Sequence, residues 1–140
     1  MAELGSQPAR RQELSRLMLE KARQDLRAVV HLRTEASIAD ETVGFHVQQT
    51  IEKAIKAVLI RHGLEYDFTH DLAALFRQAE ATGLSAPARV EDIAALTPFA
   101  VQFRYAILDD IDEFDREAGA LLAETFLAWA HNIVEAPVNS

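Results

Sequence analysis

Cysteine is absent from the 140-residue chain, which excludes disulfide bonds and thiolate metal sites. No apolar run approaches the roughly 18 residues of a membrane-spanning helix, and the N-terminal segment lacks the apolar core of a secretory signal. The chain also lacks a glycine-rich phosphate loop, a Ser-His-Asp or Cys-His set, and a histidine pair at helical metal-ligand spacing. We therefore expect a cytoplasmic protein outside the membrane, without a cofactor, a bound metal or a standard catalytic motif.

Positive charge is scarce, since the net charge is −8, and this argues against broad, non-specific binding to nucleic acid. The charge is unevenly distributed, however. Residues 1–62 contain ten basic and eight acidic residues, a net of +2, whereas residues 63–140 contain four and fourteen, a net of −10. One part of the surface is therefore suited to an anion or an acidic partner, or the two halves are solvated faces of unlike charge.

Apolar residues recur every three or four positions along most of the chain, and no segment alternates strictly, which predicts helices and no strands. The pattern predicts helices over residues 10–33, 40–62, a short stretch after residue 69, 88–108 and 112–134, with Pro98 kinking the fourth. The predicted fold is an all-α, up-and-down antiparallel bundle of about five helices. One domain spans residues 10–136, between flexible tails of residues 1–9 and 137–140.

Several residues mark the predicted helix ends. Ser37 or Asp40 is suited to cap the second helix, and Thr69 the third. Gly63 follows a basic pair and is typical of a helix stop, because glycine adopts the left-handed conformation freely. The acidic stretch of residues 109–115 lacks the glycine and the spacing of a calcium loop, and it is typical of a helix start.

Two sets of polar residues occupy unusual positions. Asp25 falls inside the apolar arc of the first helix, where a carboxylate needs a partner, so it either pairs with a Lys or Arg of a neighbouring helix or performs chemistry. The second helix has an apolar stripe on one side. The opposite side mixes residue types in a way that is typical of a contact with another helix, a second copy or a ligand: Phe45, His46, Gln49, Glu52, Lys53, Lys56 and Ile60. Near the end of the fourth helix, Arg104 precedes Tyr105 and is suited to hold a carboxylate or a phosphate.

Four segments, in order, resemble the HEPN family of small helical bundles. Residues 45–57, Phe-His-Val-Gln-Gln-Thr-Ile-Glu-Lys-Ala-Ile-Lys-Ala, are similar to that family's phenylalanine, histidine, double-glutamine and glutamate-lysine helix. Residues 22–26 resemble its first-helix Asp-Leu, residues 69–72 its His-Asp-Leu, and residues 103–105 its Arg-Tyr. The resemblance spans roughly residues 15–135.

The resemblance implies a nucleotide- or RNA-associated domain, commonly a homodimer, which in some members works beside a minimal nucleotidyltransferase as toxin and antitoxin. Together with the mixed face of the second helix, this leads us to expect Phe45, Gln49 and Ile60 at a dimer or partner interface. We expect nine residues to bind the ligand: Asp25, His46, Gln49, Lys53, Lys56, His70, Asp71, Arg104 and Tyr105. In this interpretation, the lysines and Arg104 contact phosphate in a polar groove between helices.

The ribonuclease branch of the family uses an Arg and a His separated by four to six residues. In this chain, Asp109, Asp110 and Ile111 stand at those spacings from Arg104, and the His is missing. An exposed Asp is already ionised near neutral pH, so it is a poor substitute. We therefore expect no catalytic residues and a binding module. A dimeric regulatory or structural subunit is the alternative, and a non-standard ribonuclease that recruits His46 or His70 is the third interpretation.

Overall fold

A computed structural model describes residues 7–66, 71–88, 92–93 and 114–137 of the chain. These residues form four α-helices: α1 (Pro8–Leu32), α2 (Asp40–Arg61), α3 (Leu72–Glu80) and α4 (Arg116–Val134). The described part of the chain contains no strand, which confirms the all-helical bundle. The predicted helix over residues 88–108, with Pro98, lies almost entirely outside the described residues. No helix in the ranges given above is long and apolar enough to cross a membrane.

The directions of the three long helices follow from contacts at their ends. The side-chain amide of Gln12, at the start of α1, donates to the carbonyl of Val134 at the end of α4 over 2.9 Å. Arg61, at the end of α2, donates to the same carbonyl over 3.3 Å. At the opposite end, the start of α4 contacts both the end of α1 and the start of α2. Thus α1 runs antiparallel to both α2 and α4, and the latter two run parallel.

α2 is the central helix of the described bundle. None of its residues is exposed, because α1, α3 and α4 all pack against it. The predicted apolar stripe is fully buried, and it comprises Val43, Val47, Ile51, Ala54, Ile55 and Val58. On the α3 and α4 side, the ring of Phe126 stacks edge-to-face on Phe76 and Trp129, with centroid distances of 6.2 and 5.8 Å. Aromatic pairs of this geometry contribute beyond the area that they bury.

The helix ends depart from the predicted caps at three places. Ala39 precedes α2, and no side chain caps that helix. Asp71, not Thr69, caps α3, because its carboxylate accepts hydrogen bonds from the backbone N–H groups of residues 73 and 74. The last helix begins at Arg116 rather than at residue 112, and Asp115 caps it. In both cases the Asp nearest the helix satisfies its free N–H groups, each cap contributing about 1 kcal/mol.

The predicted stop at Gly63 is confirmed. Gly63 has a φ of 72°, and its N–H donates to the carbonyl of Ile60. The N–H of Leu64 donates to the carbonyl of Leu59, which completes the paired hydrogen bonds of a Schellman motif.

Arg116 closes one end of the bundle. Its guanidinium donates to the Asp40 carboxylate over 2.7 Å and to the carbonyls of Leu32, Arg33, Glu35 and Ile38. The first two carbonyls end α1 and the others belong to the link between α1 and α2. One planar, always-charged group with five N–H donors therefore satisfies acceptors from three segments.

Candidate functional site

Asp25 of α1 joins two side chains of α2. One carboxylate oxygen lies 2.9 Å from Nδ1 of His46, and the other accepts a hydrogen bond from Nζ of Lys53 over 2.5 Å. His46 and Lys53 are seven residues apart, which is two helical turns, so they project from the same side of α2 toward α1. The prediction that Asp25 pairs with a Lys of a neighbouring helix is confirmed.

Two opposing effects act on the pKa of the Asp25 carboxyl. Burial of the side chain, which is 12% exposed, acts to raise the pKa of the carboxyl. The hydrogen bonds from His46 and Lys53 and their positive potential outweigh burial, and they hold the pKa of Asp25 below its ordinary value. Asp25 is therefore a carboxylate at neutral pH, fixed between a ring nitrogen and an ammonium group.

A second set of polar contacts runs along α2 from the same region. Gln49 donates to the side-chain oxygen of Gln48 over 2.6 Å, and Gln48 donates to Glu52 over 3.0 Å. Nζ of Lys56 lies 3.2 Å from the other oxygen of Glu52 and 5.2 Å from the ring centre of Tyr66. Lys56 thus combines an ion pair with a cation–π contact.

Glu52 corrects the picture of an open polar face on α2. Its side chain is only 5% exposed, and Gln48 beside it is fully buried. The amphipathic pattern of the sequence predicts one covered side of α2, whereas α1, α3 and α4 pack against it from several directions. A buried carboxylate is tolerated here because Gln48 and Lys56 supply hydrogen bonds and a compensating charge.

The partly buried residues of α2 include six that the sequence analysis placed on its mixed face: Phe45, His46, Gln49, Lys53, Lys56 and Ile60. The rings of Phe45 and His46 meet edge to face, with centroids 5.3 Å apart. The dimer role of Phe45, Gln49 and Ile60 stays a prediction.

The other residues that the sequence assigned to the site are placed as follows. The Asp71 carboxylate accepts hydrogen bonds at the start of α3. His70, Arg104 and Tyr105 lie outside the described residues. Gln48 and Tyr66 were not predicted as members of the site. The double glutamine of the sequence was a signal for Gln48, but nothing in the sequence pattern linked Tyr66 to Lys56.

Hydrogen-bonding capacity remains at two of these groups. Lys53 uses one of its three N–H donors on Asp25, and its side chain is 25% exposed. When neutral His46 donates Nδ1–H to Asp25, its Nε2 is an acceptor, and when protonated it is a second donor. Among the described residues, no group of three His, Cys, Asp or Glu side chains is arranged to hold a metal ion. The arrangement is suited to hydrogen-bond and phosphate recognition.

The chain matches the model of the HEPN domain family over residues 15–138. This match covers most of the sequence, and the chain belongs to the HEPN domain family. The family is one of helical, nucleotide- and RNA-associated domains, and this coarse description applies to the chain. No significant match was found among curated proteins or among solved structures.

Proposed function

We propose that this chain is a non-catalytic HEPN module that binds a nucleotide or RNA between α1 and α2. The observation that carries the proposal is the Asp25 carboxylate held by His46 and Lys53. Charged side chains placed between two packed helices stabilise a fold no better than apolar residues of similar size would. Their partial exposure leaves donors available, which is what a binding site requires.

Lys53 is the proposed phosphate contact. Its ammonium keeps two N–H donors beyond the one used on Asp25, and a phosphate oxygen accepts such donors readily. Lys56 contributes less in this proposal, since Glu52 and Tyr66 already surround its ammonium. The adjacent half-buried His46 and Gln49 offer a ring nitrogen and an amide, groups that hydrogen-bond the edge of a base or a ribose hydroxyl.

The test is a titration followed by backbone NMR shifts, with ATP and a short single-stranded RNA as ligands and adenosine as the phosphate-free control. Lys53→Gln is expected to weaken ATP binding about tenfold, the effect of losing one charge-assisted hydrogen bond. Lys21→Gln is the matched control, because Lys21 is exposed on α1 and is the chain's one lysine outside this cluster.

Two outcomes contradict the proposal. One is the absence of shifts in α1 and α2 with both ATP and RNA. The other is an equal loss of affinity in Lys53→Gln and Lys21→Gln, which would indicate a general charge effect.

The non-catalytic part of the proposal rests on the missing His after Arg104. Without a group of suitable pKa beside the Arg, proton transfer of the ribonuclease type lacks its acid or base. Labelled RNA incubated with the protein is therefore expected to stay intact. Cleavage that disappears in Arg104→Ala would instead establish a ribonuclease, with His46 or His70 as the candidate base.

A second candidate is a regulatory or structural subunit that docks a nucleotidyltransferase in a toxin–antitoxin pair. The observation that favours it is the pairing of Lys53 with Asp25 and of Lys56 with Glu52, which gives the polar cluster a structural role. A partner encoded beside this chain that co-purifies with it, together with no response to nucleotides, would support this candidate over the first.

A further inference from the structure

The seam between α1 and α4 is polar at both ends and opens into a groove in the middle. At one end, a guanidinium nitrogen of Arg23 lies 3.0 Å from Nδ1 of His131. At the other end, Arg33 lies 3.5 Å from a carboxylate oxygen of Glu117. Between these contacts lies a groove of about 340 Å³. This volume falls within the range of small-molecule sites, roughly 300–1,000 Å³.

This α1–α4 groove has an aliphatic floor and a cationic rim. The described residues that line it are Leu26, Val30 and Leu127 on the floor, and Arg23, Arg27 and His31 on the rim. None of these lining residues is acidic, and the floor side chains carry no polar group. Val30 is 38% exposed, so part of the apolar floor is open to solvent.

The order of residues along α1 produces this arrangement. Arg23, Arg27 and His31 are spaced by four residues, and such residues form one ridge along a helix. Leu26 and Val30 have the same spacing and form the neighbouring ridge. The two ridges run side by side over eight residues, which is about 12 Å at the helical rise. The groove is therefore an elongated strip with one cationic side and one apolar side.

The arginines of the rim keep hydrogen-bonding capacity in the described structure. Glu20 lies 3.5 Å from Arg23 and 3.5 Å from Arg27, so one exposed carboxylate is shared by two guanidinium groups. Long, exposed ion pairs of this kind are weak. The side chain of Arg27 is 63% exposed, and a guanidinium has five N–H donors. An incoming anion can therefore bind to Arg27 without breaking a strong contact.

We propose that the α1–α4 groove is a binding site for a small amphiphilic carboxylate, an aliphatic chain that ends in an acid group. The chain lies on Leu26, Val30 and Leu127, and the removal of this apolar surface from water favours binding. The carboxylate accepts hydrogen bonds from Arg27 and Arg23. A planar guanidinium offers two parallel N–H groups that match the two oxygens of a carboxylate.

The chemistry of the groove distinguishes this ligand class from others. A cationic amphiphile is repelled by the rim, and an uncharged one leaves the rim without a partner. A nucleotide would place its base on an aliphatic floor that offers neither a hydrogen-bond partner nor an aromatic ring for stacking. A stable protein partner covers roughly 800 Å² on each side, far more than a strip two ridges wide.

The first experiment is a backbone NMR titration of the full chain with sodium decanoate, below the concentration at which micelles form. Shifts are expected at residues 26–31 and at Leu127. Acetate has the carboxylate without the chain, and decyltrimethylammonium has the chain with a positive end. Each control ligand is expected to bind at least about tenfold more weakly, because it lacks the apolar or the ionic contribution.

The second experiment repeats the decanoate titration on variants of α1. Arg27→Gln is expected to weaken binding about fivefold, the effect of losing one exposed ionic contact. Val30→Asp is expected to weaken binding at least about tenfold, because it places a carboxylate on the floor. Glu20→Gln is expected to strengthen binding about twofold, because it removes the carboxylate that competes for the two arginines.

Two control variants match these changes on the same helix. Arg10→Gln removes an arginine about 25 Å along α1 from Arg27. Leu17→Asp places a carboxylate at an apolar residue that is 59% exposed and lies on the side of α1 opposite Leu26. Both are expected to leave the affinity for decanoate unchanged, and far-UV circular dichroism checks that every variant is folded.

Four outcomes overturn the proposal. They are the absence of shifts with decanoate, equal affinity for decanoate and decyltrimethylammonium, an equal effect of Arg27→Gln and Arg10→Gln, and an equal effect of Val30→Asp and Leu17→Asp. Sedimentation equilibrium tests another occupant. A wild-type dimer that ignores decanoate and dissociates in Val30→Asp would assign the groove to a second copy of the chain and would also overturn the proposal.

This site is independent of the nucleotide proposal, since its lining residues include none from α2. Arg27→Gln is expected to leave the ATP titration unchanged, and Lys53→Gln is expected to leave the decanoate titration unchanged. Each proposal therefore fails on its own measurement.

Discussion

Replacing Asp25 by Asn removes the negative charge that His46 and Lys53 share, with almost no change of shape. Asparagine still offers one acceptor, but its NH₂ group faces a donor on one side. Breaking one charge-assisted hydrogen bond at a largely buried site costs about 2–3 kcal/mol. With a urea m-value of ~2 kcal/mol per M for a domain of this size, the unfolding midpoint is expected to fall by roughly 1 M. The fluorescence of Trp129, the chain's single tryptophan, reports the transition.

The same variant carries a pH signature. The folded-state pKa of Asp25 lies below the ordinary value of an aspartate, which is about 4. The carboxylate therefore contributes its full stability at pH values above that ordinary pKa. The contribution is lost as the pH falls through the lower, folded-state pKa. The difference in unfolding free energy between the wild type and Asp25→Asn is therefore expected to be constant from neutral pH to about 4 and to shrink below it.

Glu20→Gln is the matched control for Asp25→Asn. Glu20 also contacts two basic side chains, Arg23 and Arg27, but over 3.5 Å and with its side chain 48% exposed. Its loss is expected to cost less than about 0.5 kcal/mol. The reasoning is refuted if the two variants lose equal stability, or if the Asp25→Asn difference persists unchanged in acid.

Three further substitutions test other parts of the fold. Arg116→Lys is expected to lower stability by about 2 kcal/mol in thermal melts, because an ammonium cannot reproduce the planar set of donors. Arg16→Lys, at an exposed ion pair, is the control and is expected to leave the melting temperature almost unchanged. Burial and the charges of two nearby arginines lower the pKa of His62, so the folded protein loses stability as the pH falls below about 6.5. His62→Gln is expected to make the urea unfolding midpoint less dependent on pH between pH 7 and 5. Gly119→Ala places a Cβ 2.6 Å from the Phe114 ring and is expected to lower the melting temperature. In a Phe114→Ala background, the same Gly119→Ala change is expected to cause no such loss. A flat Arg116→Lys melt, an unchanged His62→Gln slope, or an additive Gly119 and Phe114 pair would each contradict its prediction.

The sequence carried enough information for the helices and for one half of the site. Apolar periodicity predicted the buried stripe of α2, and Gly63 marked its end, because both signals are local. Asp25 was identifiable because a carboxylate in an apolar arc demands a partner. Charge predicted that the partner is a Lys or Arg of a neighbouring helix. The identity of that partner, Lys53, and the contact with His46 both required the relative register of two helices, which no local pattern contains.

The errors have a common physical origin. Thr69 and residue 112 were predicted near helix starts from composition, yet Asp71 and Asp115 cap the helices, because capping depends on which side chain reaches the free N–H groups. Glu52 looked exposed when α2 was projected alone. Its burial arises from helices distant in sequence, and such burial is a property of tertiary packing rather than of the segment.

The contacts of Arg116 also impose an order on the synthesis of this protein. The helical hairpin of α1 and α2 is complete once Arg61 has been made, yet the Asp40 carboxylate must wait for a side chain 76 residues further along. At typical translation rates, that interval is roughly 4 to 15 seconds. During it, the carbonyls at the end of α1 and in the link have their local backbone donors, such as the N–H of Glu35 to the carbonyl of Leu32, but lack the guanidinium of Arg116. The nascent hairpin is therefore a distinct species without the hydrogen bonds of Arg116, and the synthesis of that single residue supplies the missing donors.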